Sequence, residues 1–196
     1  ACSSRLTQAE LVYIINDCAA KGFITSKYKA DQARDVAGDI PNVTLRLMLS
    51  GTIEGYDSYE DVVSHASTTP LENMVDGTDM LYSSGTTGMP KGVARPFPAS
   101  PLGTTTGLAQ ALTVGLFQFN ENMVYLSPAP LYHAAPLRFN MSVHGIGGTT
   151  VVMEHFDAEN YLKFAQNNKA THTQVVPTMF IRMLKLDEAV RNKYDV

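Results

Sequence analysis

The chain has 196 residues, of which 44% are hydrophobic, and a formal net charge of −4 at pH 7. This composition is typical of one globular domain or two small ones, and the negative charge gives no electrostatic sign of binding to nucleic acid or an anionic membrane. The apolar runs are shorter than the roughly 18 residues of a transmembrane helix, and the first residues lack the pattern of a secretory signal.

The first part of the chain is predicted to alternate between helices and short strands. Thr7 and Glu10 have the spacing of a capping box. Leu11, Ile14 and Ile15 then fall on one face of the helix that follows. The elements predicted after this helix are a strand at 23–25, a helix from Ser26 to about Ala37, a strand at 43–49, a helix at 59–65 and a strand at 79–82.

The second part continues the alternation of strands and helices. Its predicted elements are a strand at 93–95, a proline-rich loop at 96–101, a helix at 104–117, a strand at 124–127, a helix at 134–146, a strand at 149–153, a helix at 157–168, a strand at 171–176 and a last helix with Pro177 in its first turn. Most of these strands are short, continuous apolar runs. The pattern predicts an α/β fold with a mostly parallel sheet and helices on both of its faces.

The segment at 82–93, YSSGTTGMPKGV, carries the strongest chemical signal in the sequence. Glycines let successive backbone N–H groups turn toward one anion, and hydroxyl groups and a lysine add donors and positive charge. Such a segment is chemically suited to the phosphates of a nucleotide. The candidate phosphate-binding residues are Ser83, Ser84, Gly85, Thr86, Thr87, Gly88 and Lys91.

This segment is not a Walker loop. Pro90 stands where that motif has its second glycine, and Gly92 follows Lys91 where a helix would begin. We therefore expect a loop between two strands. From composition alone, a surface turn rich in Ser, Gly and Thr explains the segment about as well.

The order of the residues favours the first of these interpretations. From Tyr82 to Gly92 the chain closely resembles the signature of the adenylate-forming superfamily, which includes acyl-CoA synthetases, luciferases and the adenylation domains of peptide synthetases. The resemblance implies that the hydroxyl residues and Lys91 hold the β- and γ-phosphates of ATP and stabilise charge on the leaving pyrophosphate.

A second candidate lies where the strand at 124–127 ends. Ligands bind beyond the carboxyl ends of parallel strands, and Tyr132 and His133 follow this strand directly. A histidine in this position is as a rule a capping or packing residue. Residues 130–133 also resemble a Pro-Leu-Tyr-His segment of acyl-CoA synthetases, which implies that His133 lies near the acyl carboxylate and the α-phosphate and is catalytic together with Lys91.

The resemblance also bears on the substrate. Amino-acid adenylation domains usually carry an aspartate near this segment to hold the substrate amine, and no aspartate occurs between Asp79 and Asp157. A plain carboxylic acid is therefore favoured over an amino acid. Arg95-Pro96 and the run at 132–137 are similar to bacterial synthetases of the fatty-acid type, which implies a fatty acid. The apolar residues of 137–146 are either part of an acyl pocket, as in the family, or ordinary core.

Cysteine and histidine usage favours a reduced compartment and no structural metal. Cys2 and Cys18 are too few for a disulfide framework, so we expect a cytoplasmic protein. The five histidines form no closely spaced pair, and we expect no metal-ligating residues in this chain.

Compared with the family, the chain resembles only part of an enzyme. It is interpreted as one partial AMP-binding domain over 1–196, an internal fragment of the large N-terminal domain, with the C-terminal domain absent. The magnesium-binding glutamate motif, the ribose-binding aspartate and the C-terminal lysine of the family have no counterpart. The parent enzyme would use ATP, Mg²⁺ and CoA to activate a fatty or other carboxylic acid.

This interpretation has consequences for the isolated chain. We expect it to lack ligase activity and, because a sheet cut from a larger domain exposes apolar edges, to form a homo-oligomer. Two alternatives from other classes are a non-catalytic nucleotide- or phosphate-binding module that uses the same loop, and a structural fragment that binds no ligand.

Overall fold

The structure is a computed structural model of the 196-residue chain. It describes residues 1–83, 89–94, 96, 100–103 and 108–196, the last range without the side chains of 108–110. The chain divides into two compact units, which are described separately: a first unit over 2–102 and a second unit over 103–196 together with residue 1.

The first unit contains three helices and five strands within its described residues. These are α1 (Gln8–Asp17), β1 (Gly22–Ser26), α2 (Ala30–Val36), β2 (Leu45–Leu49), β3 (Asp57–Ser58), α3 (Tyr59–Ser64), β4 (Leu81–Ser83) and β5 (Lys91–Val93). Short 3₁₀ turns at Lys27–Lys29 and Ala37–Asp39 flank α2. Strands β1, β2 and β3 form a parallel sheet in that order, and β4 and β5 form an antiparallel pair.

The predicted capping box is confirmed at the start of α1. Thr7 Oγ1 accepts from the backbone N–H of Glu10 at 3.3 Å, and the Glu10 carboxylate accepts from the N–H of Thr7 at 2.8 Å. The bonds that the Glu10 carboxylate accepts, from the N–H of Thr7 and then from its hydroxyl, lower the pKa of Glu10 below its ordinary value. Two otherwise unpaired donors at the helix start are thereby satisfied.

Helix α1 is fixed to the first parallel sheet by an apolar core. Leu11 and Ile15 are buried against Val36 at the end of α2 and against Ile40 and Val43 in the segment before β2. The second helix is shorter than the predicted span from Ser26 to Ala37, because Ser26 is still the last residue of β1 and the chain enters α2 through a tighter 3₁₀ turn.

The second unit contains five helices and three strands within its described residues. These are α4 (Leu108–Phe117), β6 (Val124–Ser127), α5 (Ala134–Gly145), β7 (Thr149–Val152), α6 (Ala158–Asn167), β8 (His172–Thr173), α7 (Pro177–Leu184) and α8 (Glu188–Arg191). The start of the predicted helix at 104–107 lies outside the described residues. Strand β6 is central and pairs in parallel with β7 on one side and β8 on the other.

The core of the second unit surrounds β6. Tyr125 packs with Phe119, Met123 and Val143 on one side, and Leu126 packs with residues of α6 and α7 on the other. Both strand residues are almost completely inaccessible to solvent. Of the two interpretations of the helix at 134–146, ordinary core packing holds for Val143, whereas Met141 is half exposed.

Two helices end in the same left-handed turn. Ala19 after α1 and Lys169 after α6 both have φ of 51°. In each turn the following N–H bonds back to a carbonyl five residues earlier, from Ala20 to Ile15 at 3.1 Å and from Ala170 to Ala165 at 2.9 Å. This is the Schellman arrangement, which glycine usually completes.

The predicted fold class is confirmed, with a difference in how the strands group. Both three-stranded sheets are parallel, and helices lie between most successive strands, although β3 follows β2 without an intervening helix. The strands of the signature segment form an antiparallel pair of their own, separate from the two parallel sheets.

Candidate phosphate-binding site

The first and last residues of the signature segment lie in a short antiparallel ribbon formed by β4 and β5. In this ribbon Leu81 pairs with Val93, Tyr82 with Gly92 and Ser83 with Lys91. The candidate residues Ser84, Gly85, Thr86, Thr87 and Gly88 lie outside the described residues. The structure therefore shows the base of the predicted loop, with Ser83 and Lys91 opposite each other where the loop begins and ends.

Lys91 is held by its backbone and presents its side chain to solvent. It is the first residue of β5, whereas the sequence predicted a strand only from residue 93. The strand begins earlier because Lys91 and Gly92 pair with β4, and the Ser83 hydroxyl lies 3.5 Å from the Lys91 carbonyl oxygen. An exposed ammonium group on a paired strand is available to a phosphate ligand.

Gly92 is required by the ring that lies over it. A β-carbon at this position would come within 2.9 Å of Tyr82 Cζ and 2.4 Å of Met80 Cε. Both distances are shorter than real contacts, so no other residue is accommodated without moving Tyr82. The glycine of the signature thus has a packing role here, besides any role in turning the loop.

His133 caps the helix that follows the central strand of the second unit. It precedes α5 with extended backbone angles (φ −87°, ψ 147°), and its carbonyl accepts from the N–H of Leu137 at 3.1 Å. Its exposed imidazole contacts the Tyr132 ring at a tilt of 46°, with ring centroids 4.4 Å apart. The structure confirms the predicted place at the carboxyl end of β6, and an exposed ring here can contact a ligand.

Sequence reasoning missed a buried polar pair beneath this helix. Asn140 of α5 donates to the Ser127 hydroxyl at 2.8 Å and to the Pro136 carbonyl at 2.7 Å. Both side chains are buried, and they link α5 to the last residue of β6. The pair helps to fix the start of the helix that carries His133.

Two of the candidate residues lie next to each other, whereas a third lies in the other unit. Ser83 and Lys91 face each other in one ribbon. Lys91 belongs to the first unit and His133 to the second.

The described part of the chain contains neither a cluster of metal-ligating side chains nor a membrane-spanning helix. There, no three side chains of His, Cys, Asp or Glu are grouped so that they could hold a metal ion. Across the same residues, no helix combines the length and apolar character needed to cross a bilayer.

Comparison with known proteins defines the class. The model of the AMP-binding enzyme family matches residues 1–195, and the chain belongs to that family. It is 26% identical over 191 residues to 4-hydroxybutyrate–CoA ligase 2 of Metallosphaera sedula, covering 91% of this chain and 34% of the relative. It is 29% identical over 187 residues to 2-succinylbenzoate–CoA ligase of Bacillus licheniformis, covering 92% and 34%.

A solved structure agrees with this assignment at the level of the fold. The inhibitor-bound N-terminal domain of FACL13 from Mycobacterium tuberculosis superposes with a TM-score of 0.78 at 22% identity, over 99% of this chain and 46% of that one. The chain thus spans about a third of the length of the curated relatives that it matches. Those relatives are acid–CoA ligases by name.

Proposed function

We propose that this chain is part of the large N-terminal domain of an ATP-dependent, AMP-forming acid–CoA ligase, and that the segment between β4 and β5 binds the β- and γ-phosphates of ATP. The observation that carries the proposal is the pairing of Ser83 with Lys91. It puts a hydroxyl and an ammonium group at the two ends of a segment whose sequence is rich in Gly, Ser and Thr.

The proposed reaction has two steps. A carboxylate oxygen attacks the α-phosphorus of ATP, the bond to the β-phosphate oxygen breaks, and acyl-adenylate and pyrophosphate form. The thiolate sulfur of CoA then attacks the acyl carbon and AMP leaves. Charge builds up on the departing pyrophosphate in the first step, and stabilising that charge is the role we propose for Lys91 and the hydroxyls of Ser83, Ser84, Thr86 and Thr87.

Backbone and imidazole groups complete the proposed roles. Gly85 and Gly88 would let N–H groups of the loop approach the phosphates closely. His133, exposed at the start of α5, would orient the carboxylate toward the α-phosphorus. Mg²⁺ enters with ATP and supplies charge neutralisation, and the proposed roles of this chain's residues do not depend on its ligands.

We propose a carboxylic acid without an amino group as substrate, and a fatty acid as the first acid to test. The absence of aspartate between Asp79 and Asp157 supports the lack of an amine. The similarity of residues 95–96 and 132–137 to fatty-acid synthetases supports the acyl chain. Two curated relatives act by name on other acids, 4-hydroxybutyrate and 2-succinylbenzoate, and these belong in the same assay.

The test is ATP–pyrophosphate exchange by the natural full-length protein, with fatty acids, 4-hydroxybutyrate and 2-succinylbenzoate. We expect Lys91→Ala to slow exchange by about 100-fold or more, as for the loss of a donor to a developing charge. The KM for the acid should stay within about twofold, because Lys91 would touch phosphate and not the acyl chain. Lys21→Ala, an exposed lysine before β1, is the control.

His133→Ala should change the KM for the acid, which Lys91→Ala should leave nearly unchanged. The KM for the acid should rise along with a loss in rate, because His133 would contact the carboxylate. An unaltered exchange rate in Lys91→Ala, or no exchange by the wild type with any acid, would refute the proposal. ATP binding without exchange would favour the non-catalytic phosphate-binding alternative.

The isolated 196-residue chain is proposed to be inactive, cytoplasmic in origin and prone to self-association. Its two cysteines support the compartment. Apolar side chains on the outer face of α7 support the association, since Phe180, Ile181 and Leu184 are each half exposed or more. Light scattering should show a dimer or larger species, and a 21.4 kDa monomer at micromolar concentration would contradict the association.

A further inference from the structure

The ribbon that carries Lys91 is bonded to a helix far away in sequence. The phenol of Tyr82 donates a hydrogen bond to Oδ2 of Asp17, and the two oxygens are 2.5 Å apart. Asp17 is the last residue of α1, 65 positions before Tyr82. Desolvation, followed by the bond to the Asp17 carboxylate, raises the pKa of Tyr82 above its ordinary value, so the phenol keeps the proton that it donates.

Asp17 is the last residue of α1, a helix that is packed against the core along one face. Leu11, Ile14 and Ile15 bury one face of α1, and Leu11 and Ile15 belong to the core that ties this helix to the β1–β2 region. The helix is capped at its start by Thr7 and closed at its end by the left-handed turn at Ala19. Because both ends and one face are fixed, the backbone at the end of α1, which carries the exposed Asp17 side chain, has a defined position.

Tyr82 connects Asp17 to the ribbon formed by β4 and β5. It pairs directly with Gly92, the residue after Lys91, and its ring covers the space where Gly92 would carry a β-carbon. The Tyr82 ring therefore packs directly on the backbone next to Lys91. A hydrogen bond that holds the phenol holds the start of β5 as well.

We propose that Asp17 is a positioning residue for ATP. By accepting the Tyr82 hydroxyl, it holds the β4–β5 ribbon, and with it Lys91 and the ends of the phosphate-binding segment, against the α1–β1–β2 core of the first unit. The inference rests on the proposed function for its consequence in catalysis, but the mechanical link between α1 and the ribbon stands on the geometry alone.

The test compares Asp17→Ala, Tyr82→Phe, their double mutant and Asp17→Asn in the natural full-length protein. Phenylalanine keeps the ring over Gly92 and deletes only the hydroxyl. Asparagine keeps an oxygen that can accept from the phenol. Two exposed residues provide matched controls, Asp35→Ala on α2 and Tyr28→Phe.

Asp17→Ala and Tyr82→Phe should each raise the KM for ATP by about threefold to tenfold, which lies within the range of coupling between residues in direct contact. The KM for the acid should stay within about twofold. The double mutant should be no worse than either single mutant, because both delete the same bond, and Asp17→Asn should stay close to wild type. An unchanged KM for ATP, or effects that multiply in the double mutant, would overturn the proposal.

Hydrogen exchange separates this inference from the proposed function. Exchange at the amides of 81–83 and 91–93 should be faster in Asp17→Ala and Tyr82→Phe than in the two controls. If the wild type activates no acid, the proposed function fails. Hydrogen exchange alone then tests whether the bond between Asp17 and Tyr82 holds the ribbon. Faster exchange then supports the link between Asp17 and the ribbon, and equal exchange in mutants and controls overturns it.

Discussion

The two proposed parts of the site rest on different kinds of support. His133 follows β6, a central strand whose residues Tyr125, Leu126 and Ser127 are almost inaccessible to solvent. Lys91 begins β5, a strand of a two-stranded ribbon whose Val93 side chain is 55% exposed. Packing therefore fixes the backbone before His133, whereas backbone pairing and the contacts of Tyr82 fix the backbone at Lys91.

This difference predicts which substitutions should affect the strand before His133 and which should affect the ribbon that carries Lys91. A buried strand loses stability when any of its side chains is truncated, because a cavity remains. A narrow ribbon has little core to lose, and its position depends on a few specific contacts. The following substitutions test this comparison, in order of decreasing expected effect.

Leu126→Ala against Leu81→Ala is the most direct test. Leu126 is completely buried in β6, and its truncation should lower the free energy of unfolding by about 2–5 kcal/mol. Leu81 in β4 is partly buried, and the same change there should cost about 1 kcal/mol or less. Urea unfolding of the chain followed by circular dichroism measures both, and equal losses would contradict the comparison.

Gly92→Ala against Gly22→Ala tests the contact within the ribbon. A β-carbon at Gly92 meets Tyr82 and Met80 well inside contact distance, whereas one at Gly22 in β1 finds its nearest atom at 3.8 Å. We expect Gly92→Ala to cost about 1–3 kcal/mol and to raise the KM for ATP in the full-length protein. Gly22→Ala should leave the KM unchanged. The comparison is wrong if the two variants behave alike.

Thr7→Ala probes the support of the ribbon from the far end of α1 and should have the smallest effect. Loss of an N-cap side chain costs about 0.5–2 kcal/mol. The lowered pKa of Glu10 makes part of the capping interaction dependent on pH: it is present above the unfolded pKa of the carboxyl and is lost as the pH falls through the folded value. Urea unfolding at neutral and acidic pH should therefore show a smaller difference between wild type and Thr7→Ala in acid. A pH-independent difference would exclude this role for Glu10.

Local rules were enough to predict much of the fold. The capping box at Thr7, the strand at 124–127 and the proline at the start of α7 are confirmed, because side-chain spacing, apolar runs and fixed φ angles act within a few residues. The short strand β3 and the short helix α8 were missed, since each is stabilised mainly by its neighbours in space.

The residue types of the candidate site could be predicted from the sequence, but the contacts between distant residues could not. The order of hydroxyl, glycine and lysine residues pointed to the segment after β4, and the end of β6 pointed to His133. The bond between Tyr82 and Asp17 and the pair of Ser127 and Asn140 had no sequence signal, because each joins residues brought together only by the tertiary fold.

The two left-handed helix ends have a practical consequence for anyone who produces this protein. A residue with a β-carbon in that conformation is strained by about 1 kcal/mol, and glycine relieves the strain. Ala19 and Lys169 occupy such turns in different units, and neither belongs to the strands that flank the phosphate-binding segment. Glycine at both positions offers a more heat-tolerant protein for crystallisation or long assays, with the proposed chemistry left as it is.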